Sequence, residues 1–186
     1  MLRDSHPNID LRIHASHEPV ALDGVTADIA IRYGDGRWPG LISEKLFDNT
    51  FIPTCSPQLV LRDASQLTHY PLIHFRPPGA VASPLNWAAW QKLAKVPGLD
   101  VSAGLVFSDE THAISAALGE QGVALMSRQL IEDELEEGRL VQPFGPGLEG
   151  KPFFLVYPEN REHDPTLRAV REWVMAVPGG LSGVAS

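Results

Sequence analysis

Residues 101–127 read Val-Ser-Ala-Gly-Leu-Val-Phe-Ser-Asp-Glu-Thr-His-Ala-Ile-Ser-Ala-Ala-Leu-Gly-Glu-Gln-Gly-Val-Ala-Leu-Met-Ser, and this stretch decides the fold class. Its first seven residues predict a strand. Ser108 or Asp109 can cap a helix whose apolar face is Ala113, Ile114, Ala117 and Leu118. Gly122 closes that helix before a second strand, Val123 to Met126. Strand, helix and strand at this spacing form a βαβ unit, because two parallel strands can be joined only by a crossover.

Upstream, Leu72 to Phe75 predicts a strand, followed by a Pro/Gly-rich surface loop from Arg76 to Pro84. Ser83 is then an N-cap with Pro84 at the first helical position, and Leu85, Ala88, Ala89 and Leu93 supply the stripe of a helix ending near Pro97-Gly98. Downstream, Leu130, Ile131 and Leu135 with the acidic run Glu132, Asp133, Glu134, Glu136 and Glu137 predict a helix with a solvated acidic face, stopped by Gly138 and followed by a strand at Leu140-Val141. Phe153 to Tyr157 is a strongly apolar strand. Asp164-Pro165 opens a last helix with Leu167, Val170, Trp173, Val174 and Val177 on one face, and it stops at Pro178 before a Gly/Ser/Ala-rich tail, 179–186, read as disordered.

Near the start, Ile9, Leu11 and Ile13 alternate with polar residues as a half-buried strand does. Pro19 to Gly24 predicts a short helix and Ala27 to Ile31 a strand, hence a second parallel pair. Ser43 to Leu46 and Thr50 to Ile52 are extended pieces ending at Pro53, a candidate crossing point between substructures. The expectation is an α/β architecture with mainly parallel sheets.

The 186 residues carry 15 Lys+Arg against 23 Asp+Glu, a net charge of -8. Nucleic-acid binders need clustered positive charge to displace counterions, so no nucleic acid is expected as a partner of this chain alone. A single cysteine, Cys55, makes no internal disulfide, which favours a reducing compartment and a cytoplasmic location. No apolar run approaches signal-peptide length or the roughly eighteen residues that span a bilayer, so no membrane partner is expected.

Motifs for chemistry fail in context. Gly-Pro-Gly-Leu-Glu-Gly at 145–150 has GxGxxG spacing, but it leads into a strand and contains Pro146, whereas a dinucleotide loop must open a helix. Among seven histidines only His112, with Asp109, lies on a predicted helix at a spacing that could serve a metal, and two ligands are too few for zinc. No His and carboxylate are placed around Cys55 and GxSxG is absent, so neither catalysis, nor a cofactor, nor a metal is expected.

Three stretches together resemble the effector-binding domain of LysR-type transcriptional regulators, most closely the glycine-cleavage-activator-like branch. The first is His-Pro-Asn-Ile-Asp-Leu-Arg-Ile at 6–13 with Ala-Asp-Ile-Ala-Ile-Arg-Tyr-Gly-Asp-Gly at 27–36. The second is Phe-Asp-Asn-Thr-Phe-Ile-Pro-Thr-Cys-Ser-Pro at 47–57. The third is Ser-Asp-Glu-Thr at 108–111 with Ala-Ala-Leu-Gly-Glu-Gln-Gly-Val-Ala-Leu-Met-Ser at 116–127. The order and spacing of the three make the resemblance specific over residues 6 to 177.

The resemblance implies a two-lobed periplasmic-binding-protein-like (type 2) fold, with lobe one at 1–52 and 157–178, lobe two at 53–156, and a small effector held between the lobes. It also implies that the first strand of lobe one and the winged helix-turn-helix lie outside this sequence, an N-terminal truncation. In open α/β sheets ligands bind beyond the carboxyl ends of the strands, which selects Ser16, Arg32, Tyr33, Thr54, Ser56, Ser108, Asp109, Glu110 and Met126 as candidate ligand contacts. Each has a plainer reading: Arg32 can pair with Asp28 or Asp35, Ser108 can cap its helix, and Met126 can fill core. Arg32 suits a carboxylate, so an amino acid or other anionic effector is expected. Side-by-side homodimers are implied as well, and an exposed strand edge at Ile9, Leu11 and Ile13 would favour them. The rival readings are a solute-binding receptor or a two-lobed enzyme of the same fold.

Overall fold

The computed structural model describes residues 2–16, 18–76 and 83–176. In chain order the strands are β1 (Ala30–Tyr33), β2 (Leu41–Phe47), β3 (Thr50–Thr54), β4 (Leu72–Phe75), β5 (Leu105–Phe107), β6 (Val123–Ser127), β7 (Leu148–Glu149) and β8 (Phe153–Pro158). The α-helices are α1 (Leu2–Ser5), α2 (Trp87–Ala94), α3 (Glu110–Leu118), α4 (Glu132–Glu136) and α5 (Pro165–Met175). The chain divides into two compact units, with the change falling between Asp48 and Asn49 and again between Gly150 and Lys151.

The Asn49–Gly150 unit holds a five-stranded sheet in the order β5-β4-β6-β3-β7. β4 pairs in parallel with β5 and β6, as the βαβ reading requires, while β3 is antiparallel to both β6 and β7. Both faces are covered. Leu72 and Val123 pack with Trp87, Trp90 and Leu67 on one side. Ile73 and Ala124 pack with Ala113, Ala116, Ala117 and Ile131 on the other. A strand covered on both faces is apolar at successive positions, which is why Leu72–Phe75 reads as a run and not as an alternation.

In this unit several boundaries differ from expectation. Helix α2 is capped by Asn86, whose side chain accepts from the Ala89 N–H at 2.9 Å, while Ser83 accepts from Leu85. The capped turn is the one that buries Trp87 and Trp90; Leu93 is 50% exposed. β5 begins only at Leu105, because Asp100 turns the chain by accepting from Ser102 and Gly104 adopts φ 129 against the Leu72 backbone. Helix α3 ends at Gly119; Gly122 instead lets β6 start hard against the Pro71 carbonyl. The acidic segment is a 3-10 turn, Arg128–Ile131, followed by the single helical turn of α4. Leu140-Val141 contributes only a bridge from Val141 to Cys55.

The other unit has a three-stranded sheet, β1-β8-β2, antiparallel throughout. The mainly parallel expectation therefore gives way to mixed sheets, since β1 pairs with the distant β8 and not with a neighbour in sequence. Ile9, Leu11 and Ile13 form no strand: Leu11 is 38% and Ile13 68% exposed. A period-two pattern becomes a strand only where another strand takes its N–H and C=O groups, and none does among the described residues. Pro19–Gly24 forms no helix, because Asp23 accepts from the N–H groups of Val25 and Thr26 and closes a local turn instead. Helix α5 is capped by Asp164 with Pro165 in its first turn, as expected. Val177, Pro178 and the 179–186 tail lie outside the described residues.

Candidate functional site

Because β4, β5 and β6 run in parallel, their carboxyl ends, Phe75, Phe107 and Ser127, share one edge of the sheet. β3 is antiparallel, so it is its start that reaches this edge: Phe51 lies opposite Ser127, and the Thr50 N–H donates to Gln129 Oε1 at 3.3 Å. Helix α3 also begins here, which brings Ser108, Asp109 and Glu110 to the edge.

Asp109 is the N-cap of α3. Its Oδ1 accepts from the His112 N–H at 3.1 Å, and these backbone donors hold its carboxyl below the usual range. His112 Nδ1 lies 3.9 Å away, so the pair is a cap with an exposed first-turn histidine; no cluster of three metal-binding side chains occurs among the described residues. Glu110 differs from its neighbour. It is partly buried, and desolvation with the adjacent Asp109 charge pushes its carboxyl up to about 7. Ser108 is exposed.

Four residues at this edge escaped the sequence reading. Arg76 and Arg128 follow β4 and β6 directly; both are exposed, and neither has an ion pair among the described residues. Asn49 and Ser127 are each 1% exposed, and the Ser127 hydroxyl donates to Asn49 Oδ1 at 2.6 Å. Asn49 Nδ2 is buried without a partner among the described residues. For Arg76 and Arg128 the signal is a charged residue directly after an apolar strand, which gains meaning only once β4 and β6 are known to be parallel and adjacent; Asn49, before β3, and Ser127, at the end of β6, carry no such signal.

The remaining expected contacts lie elsewhere. Thr54 opposes Ala124, at the far end of β3; it is 0% exposed and donates to the Val141 carbonyl at 3.2 Å. Ser56 caps a 3-10 turn at the same far end. Met126 is 1% exposed within the core under α3. Ser16, Arg32 and Tyr33 belong to the other unit. Ser16 closes an exposed turn with Glu18. Arg32 donates from Nη2 to the Val20 carbonyl at 2.7 Å and lies 5.8 Å from the Trp38 ring centre. It pairs with neither Asp28, which binds Arg161, nor Asp35, which binds Lys151 at 2.8 Å. Tyr33 accepts from the Lys151 N–H.

The glycines of 145–150 serve packing. A Cβ at Gly145 would strike Trp90 and one at Gly147 would strike Thr50, and the segment leads into β7. Burial pushes the Cys55 thiol up to about 11, so its reactive thiolate is scarce at neutral pH.

Residues 1–178 match the family described as the LysR substrate binding domain. The chain belongs to that family. Among its relatives, the glycine cleavage system transcriptional activator of Escherichia coli (strain K12) is 34% identical over 180 residues, covering 92% of this chain and 56% of the relative. The HTH-type transcriptional activator AmpR of Rhodobacter capsulatus is 30% identical over 177 residues, covering 92% and 58%. This LysR substrate binding domain thus spans a little over half the length of those relatives. It shares its fold with the effector domain of AmpR of Pseudomonas aeruginosa, at TM-score 0.73 and 24% identity over 94% of this chain and 83% of that one. It also matches CrgA, a LysR-type transcriptional regulator from Neisseria meningitidis, at TM-score 0.72 and 23% identity over 92% and 59%. The α/β fold is the periplasmic-binding-protein-like type 2 fold of LysR effector domains. These relatives are named as transcriptional regulators and not as enzymes, and the LysR substrate binding domain family is regulatory.

Proposed function

We propose that this domain is the effector-sensing part of a LysR-type transcriptional regulator, and that it binds a small zwitterionic or carboxylate metabolite, such as an amino acid, at the carboxyl edge of the five-stranded sheet. One observation carries the reading: a partly buried carboxylate at the start of α3, Glu110, shares that edge with two arginines, Arg76 and Arg128, that have no ion pair among the described residues. Guanidinium groups suit a carboxylate and Glu110 suits an ammonium group. Ser108 and Asp109 complete the proposed contact set. Arg32 and Tyr33, at the end of β1, are proposed as contacts for a carboxylate in their own right, since Arg32 spends one donor on Val20 and has no ion pair among the described residues. The regulator is proposed to act as a homodimer, with this domain itself binding no nucleic acid.

The test is titration calorimetry of the 186-residue chain with a panel of amino acids that includes glycine, repeated on Arg128→Ala and Glu110→Gln. Loss of a charge-assisted hydrogen bond weakens binding by about 1.5–3 kcal/mol, and each variant should show a loss of that size. Unchanged affinity in both variants for a confirmed amino-acid ligand would remove the sheet edge as its site.

A further inference from the structure

The antiparallel sheet of the smaller unit has two unlike faces. Directly opposed residues share a face, so Ile42, Glu44, Leu155 and Tyr157 lie on one side and Arg32, Ser43, Phe154 and Val156 on the other. Helix α5 reaches the first face through Arg171, which binds Glu44. The loop between β1 and β2 folds over the second. Gly36 takes φ 73 and leaves no room for a Cβ beside the Phe154 ring. Trp38 then packs edge-on against Phe154 at 5.9 Å between ring centres, and the Arg32 guanidinium sits over it. An indole pinned by a ring and a cation presents a fixed apolar wall.

Beside that wall is a shallow hollow, wide open to solvent, of about 460 Å³, lined by Gly36, Arg37, Trp38, Pro39, Leu41 and Ser43. Its polar equipment is unspent. The Ser43 hydroxyl is buried with no hydrogen-bond partner among the described residues, an arrangement that a bound oxygen or nitrogen would relieve. Arg37 is exposed and has no ion pair among the described residues, unlike Lys45 and Lys151, which bind Asp48 and Asp35. A hydroxyl, an uncommitted guanidinium and three apolar side chains, Trp38, Pro39 and Leu41, fit one chemistry: a carboxylate on a flat apolar body.

We propose that this hollow is a second small-molecule site, independent of the sheet edge proposed above, and that it takes a small carboxylate with a planar apolar body. Arg37 holds the carboxylate, the Ser43 side chain turns outward from its buried position to supply a further hydrogen bond, and Trp38, Pro39 and Leu41 flank one side of the ring. The probe is phenylacetate, titrated into the ¹⁵N-labelled 186-residue chain, with acetate and phenylacetamide as arms that lack the ring and the charge. The readout is the Trp38 indole N–H resonance, assigned by its loss in Trp38→Phe.

A saturable shift of that resonance is expected with phenylacetate, at an affinity at least about tenfold above either control, since a lost ring or charge costs a factor of ten or more. Arg37→Ala should weaken it about tenfold; its side chain is exposed, so the variant folds. Ser43→Ala should weaken it several-fold without lowering the unfolding temperature, because it deletes an unpaired hydroxyl. The proposal is overturned by no saturable shift up to about 10 mM phenylacetate, by acetate binding as well as phenylacetate, or by an unchanged affinity in Arg37→Ala.

Discussion

At the residue scale, Asp109 and Glu110 show how one position alters a carboxyl group. Asp109 accepts backbone N–H bonds and is held low; Glu110, one residue on, loses solvent beside the Asp109 charge and is pushed up to about 7. A carboxyl raised above its unfolded value of 4.5 binds a proton in the folded state that it lacks in the unfolded one between those limits. Stability therefore falls as pH rises from about 4.5 to 7. Glu110→Gln should remove this slope, leaving the variant relatively more stable than the parent at pH 8 than at pH 4.5; urea titrations at the two pH values check it. A cap at Ser108 or Asp109 was legible from residue type alone; that Asp109 makes it and Ser108 stays exposed was not. The state of Glu110 was not, since it depends on what the fold lays over it.

At the element scale, α5 was read almost whole because its signals are local: the Asp164 side chain accepts from the Thr166 and Leu167 N–H groups, Pro165 suits the first turn, and Leu167 and Val170 turn inward. What docks it is not local. Arg171 donates from Nε and Nη2 to the Glu44 carboxylate, and the Tyr157 hydroxyl donates to the same group at 2.5 Å. The Arg171 hydrogen bond, then that of Tyr157, holds the Glu44 carboxyl below its usual 4.5, so the clamp stabilises above that value and fades as pH falls through the lowered one. Arg171→Ala should cost about 1 kcal/mol at pH 7, a figure kept small by the partial exposure of the pair, and less at pH 3. Denaturant midpoints of parent and variant at both pH values decide this. Ile9, Leu11 and Ile13 show the opposite case, a strand pattern with no strand to pair with among the described residues.

At the scale of the whole molecule, the charge of -8 gives the isolated chain little attraction for a polyanion, and no binding to duplex DNA is expected in a gel shift at physiological salt. Salt-sensitive, sequence-selective retardation by the 186-residue chain would contradict this. Self-association is expected through a sheet edge. β5 is an outer strand, with Leu105 36% and Val106 55% exposed, and an apolar open edge recruits another chain unless it is charged or covered. Light scattering should report a dimer for the parent and a shift toward monomer for Val106→Lys; a parent that stays monomeric at micromolar concentration would exclude this edge.

Elements whose causes lie within a few residues follow from the order of the amino acids alone. These are β4 as an apolar run, α3 through a cap at Ser108 or Asp109, α5 through Asp164 and Pro165, and the βαβ order that makes β4, β5 and β6 parallel. The sequence also carried the three motifs that mark the family. Tertiary structure alone decided which strands became neighbours. It set β1 against β8 in antiparallel register, left residues 9–13 without a partner strand among the described residues, and placed Thr54 and Ser56 at the end of β3 away from Ser127. It also placed Asn49, Arg76, Ser127 and Arg128 along one edge with Glu110. The physical reason is that caps and side-chain periodicity act through local hydrogen bonds and burial, whereas strand order and register are set by which distant backbone groups satisfy one another.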